Sequence, residues 1–331
     1  MPVRHDQLTQ IDSGTYAFMH LPGGWGQTNT GLVVGNDASM VIDTVWDRPR
    51  AQANIEAWSS VSDAPITEAV NTHSDGDHWW GNNTLPESAR ITTSATALIA
   101  MKEDTPPGAV GAFAAIGRLA RPIPGPAGYL GGYMHQVTGG ADLPRRLPRL
   151  PDHTFADTED IEVGGRVARL RNFGPAHTPG DLIVHVHDAG VVFTGDLLFI
   201  GATPVIWHGP LENWISAIDH LLQLDAGTYV PGHGPTCGRA EIQLLRDYWV
   251  WLSQAGRAQH SAGVTPLAAA RTLVRTPEFA PFAQWGSPER IVLNLSTLYR
   301  LFEGAEPAPP TFARRAKAFA DAGRLQRDML S

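Results

Sequence analysis

The chain holds one cysteine, Cys237, in 331 residues. A lone thiol closes no intramolecular disulfide, so a disulfide-stapled scaffold is excluded and a reducing compartment is expected. Uncharged apolar runs long enough to span a bilayer are missing, and Met1 to Gln10 is too polar for a secretory leader. The expectation is a cytoplasmic protein with no membrane partner. Basic excess is missing too: 25 Lys and Arg face 33 Asp and Glu, a net charge of -8. Scattered cations in that minority do not make a nucleic-acid surface. There is no G-x-S-x-G elbow, and Cys237 has no base-orienting motif, so covalent nucleophilic catalysis is not expected. No repeat of solenoid period occurs. With 43% hydrophobic and 18% charged residues, the chain can bury a sizeable core.

What the chain does have is ligand density at strand ends. His73, Asp75, Asp77 and His78 crowd the turn directly after the apolar run Ile66 to Val70. Histidine and aspartate are costly to bury unless paired or bound to a cation, so such a cluster points to metal. The competing reading is a polar turn with a helix N-cap, because Ser74, Asp75 and Asp77 all cap well. Three further strand ends favour metal. His177 lies in a Gly/Pro-punctuated turn between Val167 to Phe173 and Leu182 to Val186. Asp196 follows Val191 to Thr194, and His233 follows Thr228 to Val230. In a layered α/β sandwich these ends can converge on one edge, with donors for two divalent ions sharing a bridging carboxylate.

In order, the motifs resemble those of the metallo-β-lactamase-fold metallohydrolases: an HxHxDH-type loop, a GxxHTxGD turn, a TGD strand end and a GHGP turn. The resemblance covers most of residues 10 to 235. By that resemblance one ion takes His73, Asp75 and His177, a second takes Asp77, His78 and His233, and Asp196 bridges them. The cofactor it implies is zinc, as one or two ions. This chain departs from the pattern at Asp75, where the family's usual residue is histidine. A carboxylate is a harder donor than imidazole, which opens the first site to iron or manganese and makes single-ion occupancy an alternative.

A narrower resemblance lies outside the metal motifs. Pro22 to Gly31, Arg246 to Trp249, Thr265 to Arg271 and Pro288 to Leu295 are similar to segments of the actinorhodin-type second-ring polyketide cyclases. It implies an aldol cyclisation and aromatisation of a poly-β-ketone, with a small-molecule or carrier-bound substrate. The alternative is a general metallohydrolase acting on a thioester, lactone or other acyl substrate. A third reading, a binding protein with a decayed site, rests on the change at Asp75.

The expected fold is a four-layer αββα sandwich, residues 1 to 238, with a helical extension from 239 to 331 packed on it. Strands are expected at Thr15 to Leu21, Gly31 to Gly35, Met40 to Val45, Ile66 to Asn71, Asp160 to Val163 and at the four later apolar runs, Val167 to Phe173, Leu182 to Val186, Val191 to Thr194 and Thr228 to Val230. Helices are expected at Pro49 to Val61, Ala95 to Lys102, Leu211 to Leu222 and through the extension, where Thr265 with Pro266 and Ser287 with Pro288 signal helix starts. Residues 105 to 152 are broken by glycine and proline yet stay apolar, and read as a loop-built lid over the metal edge. Phe113, Tyr129 and Tyr133 are its expected pocket-lining rings. Beside the ligands, Asp77, His208 and Tyr133 are the candidates for handling protons, with His135 behind them.

Overall fold

The computed structural model describes residues 8 to 330; residues 1 to 7 of the stretch read for a leader lie outside the described residues. One sheet contains β1 (Leu8–Asp12), β2 (Thr15–Phe18), β3 (Thr30–Val34), β4 (Ser39–Ile42), β5 (Ile66–Val70), β6 (Arg90–Ser94) and β7 (His153–Phe155), in that spatial order. β1 to β4 form an antiparallel meander, and β4 to β7 run parallel. The second sheet contains β8 (Thr158–Val163), β9 (Arg166–Asn172), β10 (Leu182–Val186), β11 (Val191–Phe193) and β12 (Thr228–Val230), with β12 parallel to β11 at the edge.

Alternation along the strands divides the core into layers. Val33, Met40 and Ile42 point between the sheets, where they meet Leu170, Val184 and Phe193. Leu32 and Val41, one residue out of step, point the other way and pack on Trp58. That residue belongs to α1 (Arg48–Ser59), which starts where Asp47 accepts the Arg50 amide at 3.1 Å, ahead of Pro49. The remaining helices are α2 (Gly76–Trp79), α3 (Ala95–Glu103), α4 (Pro107–Ala120), α5 (Pro126–Thr138), α6 (Leu211–Gln223), α7 (Arg239–Ser261), α8 (Pro266–Leu273), α9 (Ile291–Phe302) and α10 (Phe312–Leu330). The outer face of the second sheet, through Ile183, Val192 and Tyr229, shares one core with α6, α7 and α9. The architecture is an αββα sandwich with a C-terminal helical region packed on it.

The segment 105 to 152 departs from expectation. It is a helical hairpin, α4 and α5, not a set of turns. Its glycines are contact points: a Cβ on Gly131 would stand 2.3 Å from the Gly117 carbonyl, and one on Gly323 of α10 would stand 2.5 Å from the Tyr129 carbonyl. The missing side chains let three helix backbones approach closely, a use of glycine that a count of breakers cannot distinguish from turns. β1, β6 and β7, for which the sequence carried no clear signal, complete the first sheet.

Candidate metal centre

The seven ligand candidates meet at one edge of the sandwich. His73, Asp75, Asp77 and His78 leave the end of β5, and His177 sits in the β9–β10 turn. Asp196 and His233 follow β11 and β12. Three groups each place their donor atoms within 4.8 Å of one another: His73, Asp75 and His177; Asp77, His78 and His233; and His73, His78 and Asp196. Asp196 lies among all four histidines, with carboxylate oxygens 3.1 Å from His78 Nε2, 3.3 Å from His177 Nε2, 3.4 Å from His233 Nε2 and 3.8 Å from His73 Nε2. The chain after β12 comes so close that a Cβ on Gly232 would stand 2.0 Å from Asp196 Oδ1, so only glycine fits there.

The outward ring nitrogens fix the inward ones. His78 Nδ1 donates to Asp43 at 2.7 Å, His177 Nδ1 to the Val205 carbonyl at 2.6 Å, and His233 Nδ1 to the Gln27 carbonyl at 3.1 Å. Thr72 Oγ1 gives its own proton to Asp43 and so accepts from His73 Nδ1 at 3.0 Å. With Nδ1 carrying the proton, each Nε2 presents a lone pair to the centre, the arrangement in which imidazole binds metal. His73 Nε2, His78 Nε2 and Asp196 Oδ1 are buried and make no hydrogen bond. Orphaned acceptors facing one point are costly unless a cation satisfies them, so these residues fit a divalent metal. Without a cation the cluster holds protons instead. Burial alone would lower the His78 pKa, but Asp196 and Asp43 together raise it well above the usual imidazole value.

Asp75 is drawn into the cluster. Its Oδ2 accepts from Trp207 Nε1 at 2.9 Å and lies 3.1 Å from His177 Nε2. Burial would raise its pKa, and the His177 imidazole overrides that and holds it below the usual carboxylate range. Asp77 Oδ2 accepts from Thr28 Oγ1 at 2.8 Å and stands 3.5 Å from His233 Nε2.

Of the proton-handling candidates, the structure corrects Tyr133. Its side chain is fully buried, its hydroxyl donates to Glu289 at 3.2 Å, and it lines neither cavity at the metal edge. The ring packs edge-on against Trp25 because the α4–α5 hairpin is helical and turns that residue into the core. His135 and Tyr129 line neither cavity either. His208 does line the larger cavity, with its Nδ1 held by the Gly209 carbonyl at 2.8 Å.

Two cavities open on Asp75. The larger, about 450 Å³, is bounded by Ser74, Thr178, His208 and Glu103. The smaller, about 270 Å³, lies under the helical hairpin and is walled by Trp25, Trp46, Trp80, Phe113 and Phe319. Arg315 and Trp207 border both.

Several residues that shape the centre were not singled out from the sequence. Asp43 ends β4 as Asp196 ends β11, so the signal of a carboxylate closing an apolar strand was present. Trp207 gave no such signal. The segments outside the metal motifs turn out to hold the site's backbone. Asn29 ties the Trp25 loop to the His233 turn through the Pro231 and Gly234 carbonyls at 2.9 and 2.7 Å. Asn294 accepts from the Ile206 amide at 3.0 Å and donates to the Pro204 carbonyl at 2.9 Å, fixing the loop that carries Trp207.

Residues 23 to 233 match the family model described as the metallo-beta-lactamase superfamily. The chain is 35% identical over 84 residues to a hydroxyacylglutathione hydrolase of Synechococcus sp. (strain JA-2-3B'a(2-13)), a match covering 25% of this chain and 33% of the relative. A second Synechococcus sp. hydroxyacylglutathione hydrolase (strain JA-3-3Ab) is 31% identical over 100 residues. The chain thus spans about a third of the length of the curated relatives it matches. Among solved structures, the inverting sec-alkylsulfatase Pisa1 from Pseudomonas sp. superposes with a TM-score of 0.68 at 17% identity, over 90% of this chain and 50% of that one. The mono-zinc form of the metallo-beta-lactamase FIM-1 from Pseudomonas aeruginosa gives 0.51 at 21% identity, over 74% and 94%. At such identities the likeness is one of fold. Together with the ordered motifs and the family match over most of its length, it establishes that the chain belongs to the metallo-beta-lactamase superfamily.

Proposed function

We propose that the protein is a metal-dependent hydrolase of an acyl substrate, a thioester or related ester with an apolar arm. The observation that carries this reading is the meeting of the two ligand groups around Asp196, with one carboxylate of each, Asp75 and Asp77, lining an aromatic-walled cavity. His73, Asp75 and His177 would hold one ion, Asp77, His78 and His233 a second, with Asp196 between them. A divalent ion bound there supplies Lewis acidity, which polarises a carbonyl and makes water a nucleophile near neutral pH. Each group offers two imidazoles and one carboxylate, a donor set that suits zinc and, through its oxygen, also admits iron or manganese.

The chain's own groups do the rest. Asp77, steadied by Thr28, orients water and takes up its proton. The aromatic wall seats the apolar arm and keeps bulk water from the reacting carbonyl. His208 borders the larger cavity with Nδ1 donating to the Gly209 carbonyl, so Nε2 is the nitrogen left to take up a proton and, as imidazolium, to pass it to a departing thiol or alcohol. Water adds to the acyl carbon, the bond to sulfur or oxygen breaks, and an acid and a thiol or alcohol leave. The hydrolase names of the partial relatives support this class.

The cyclase reading draws on the same apolar cavity, which would suit a folded polyketide chain. It is weakened by the lid, where only Phe113 of the three expected rings lines that cavity. A panel of acyl thioesters, aryl esters, alkyl sulfates and a poly-β-ketone mimic, offered to metal-loaded protein, separates the readings. Thioester or ester hydrolysis abolished by a chelator is expected. Cyclisation of the mimic with no hydrolysis of any ester would overturn the hydrolase reading.

A further inference from the structure

Helix α4 carries apolar side chains on two adjoining sides. One side closes the smaller cavity through Ala109, Val110 and Phe113. The other faces solvent, with Ile116 63% and Leu119 76% exposed and Ile123, just past the helix end, 51% exposed. Ile116 and Leu119 stand three apart, the spacing of one helix face, and exposed Ala112 and Ala115 extend it. Large aliphatic side chains clustered on an exposed helix face mark an interaction site more often than an ordinary surface.

The charge around this face is as one-sided as its hydrophobicity. No Asp or Glu occurs from Thr105 to Ala141, in a chain whose net charge is -8. The cations there, Arg118 and Arg121, are both exposed, and neither has an ion-pair partner among the described residues. Aliphatic side chains flanked by unpaired arginines are the composition of a helix that lies in the boundary of an anionic bilayer. No described helix is long and apolar enough to cross a membrane, but lying on a bilayer needs no such helix.

We propose that the outer face of α4 docks on an anionic lipid surface, with Ile116, Leu119 and Ile123 in the acyl boundary and Arg118 and Arg121 at the level of the phosphates. A second copy of the chain is the less favourable occupant. A two-fold contact through this face would bring the arginines of each copy toward those of the other, with no carboxylate on the hairpin to offset them. Docking would also set the helix that walls the apolar cavity against the lipid, a short route into it for an apolar substrate. The binding itself does not depend on the hydrolase reading.

The test is co-sedimentation of the full-length, metal-loaded protein with phosphatidylcholine vesicles, with and without about 30% phosphatidylglycerol. Binding to the anionic vesicles should exceed binding to the neutral ones by about tenfold or more and should fall as salt is raised. Arg118→Gln with Arg121→Gln should remove that preference, and Ile116→Ser, Leu119→Ser and Ile123→Ser together should remove binding. All five positions are exposed, and the far-ultraviolet circular dichroism and metal content of each variant show that it has folded. Three results would each overturn the proposal: no binding of the parent protein, equal binding by the triple serine variant, or a parent dimer that the triple variant converts to monomer without any vesicle binding.

Discussion

Asp43 grips His78 from behind. The carboxylate accepts from His78 Nδ1 at 2.7 Å, from the Thr72 amide at 2.7 Å and from Thr72 Oγ1 at 2.8 Å, so one side chain aligns a metal-facing imidazole and the backbone that leads to His73. It does so from a left-handed backbone position, φ 59°, which a non-glycine residue adopts at a cost. Replacing Asp43 by alanine should lower metal affinity about 10- to 100-fold, and by asparagine rather less, because the amide oxygen still accepts. Competition titration against a chelating dye reads this. Unchanged affinity in the alanine variant would mean that the imidazole is held by packing alone.

How much of this centre could be read beforehand follows from what each residue must do. His73, His78, His177, Asp196 and His233 stand next to apolar strand runs, and a polar residue closing such a run is visible as a break in hydrophobicity. Asp43 obeys the same rule but falls inside the run Met40 to Val45, where flanking apolar residues hide it. Trp207 is a large apolar residue whose Nε1 happens to meet Asp75, and nothing in one-dimensional order reveals that. The hairpin of α4 and α5 was misread for a related reason: Gly117 and Gly131 serve helix contact, while the same residue type at Gly125, φ 84°, does break the chain.

Asp75 should behave as a ligand. Asp75→Ala removes the oxygen from the His73 and His177 group and leaves Trp207 Nε1 without its acceptor, so bound metal should fall from about two equivalents to about one after dialysis. Asp75→His should keep both and shift preference toward zinc over manganese, since imidazole is the softer donor. Elemental analysis after dialysis against mixed metals measures both. Full retention of metal by the alanine variant would remove Asp75 from the ligand set.

Cys237 should be inert in the folded protein. It is buried against Tyr229, with backbone hydrogen bonds in both directions, and burial first, then the Glu241 carboxylate, pushes its thiol up to about 12. Only the thiolate attacks disulfide reagents, and at pH 8 almost none forms. Reaction with an aromatic disulfide should be slower than in denatured chain by about two orders of magnitude or more. Equal rates before and after denaturation would contradict the burial.

His20 should tie stability to pH, with the His233 imidazole the one metal ligand that acts on it. Its ring packs at 5.0 Å on Phe18, and it is 5% exposed. Burial, with the Arg50 cation adding to it, lowers the imidazole pKa to about 4. In the unfolded chain the value is about 6.5, so between these limits the unfolded state binds the extra proton. The stabilising contribution is therefore complete above about pH 6.5 and is lost as pH falls toward 4, by about 2 kcal/mol at pH 5 and about 3 kcal/mol in full. His20→Phe removes the titrating group and keeps the ring contact, and the backbone amide can still donate to Asn29. Urea unfolding of the parent and variant at pH 7.5 and pH 5, both stripped of metal, reads the contribution of His20 together with its repulsion by His233. The variant should lose less stability on acidification by about that 2 kcal/mol. Parallel losses in the two proteins would show that His20 takes up its proton in the folded state without penalty.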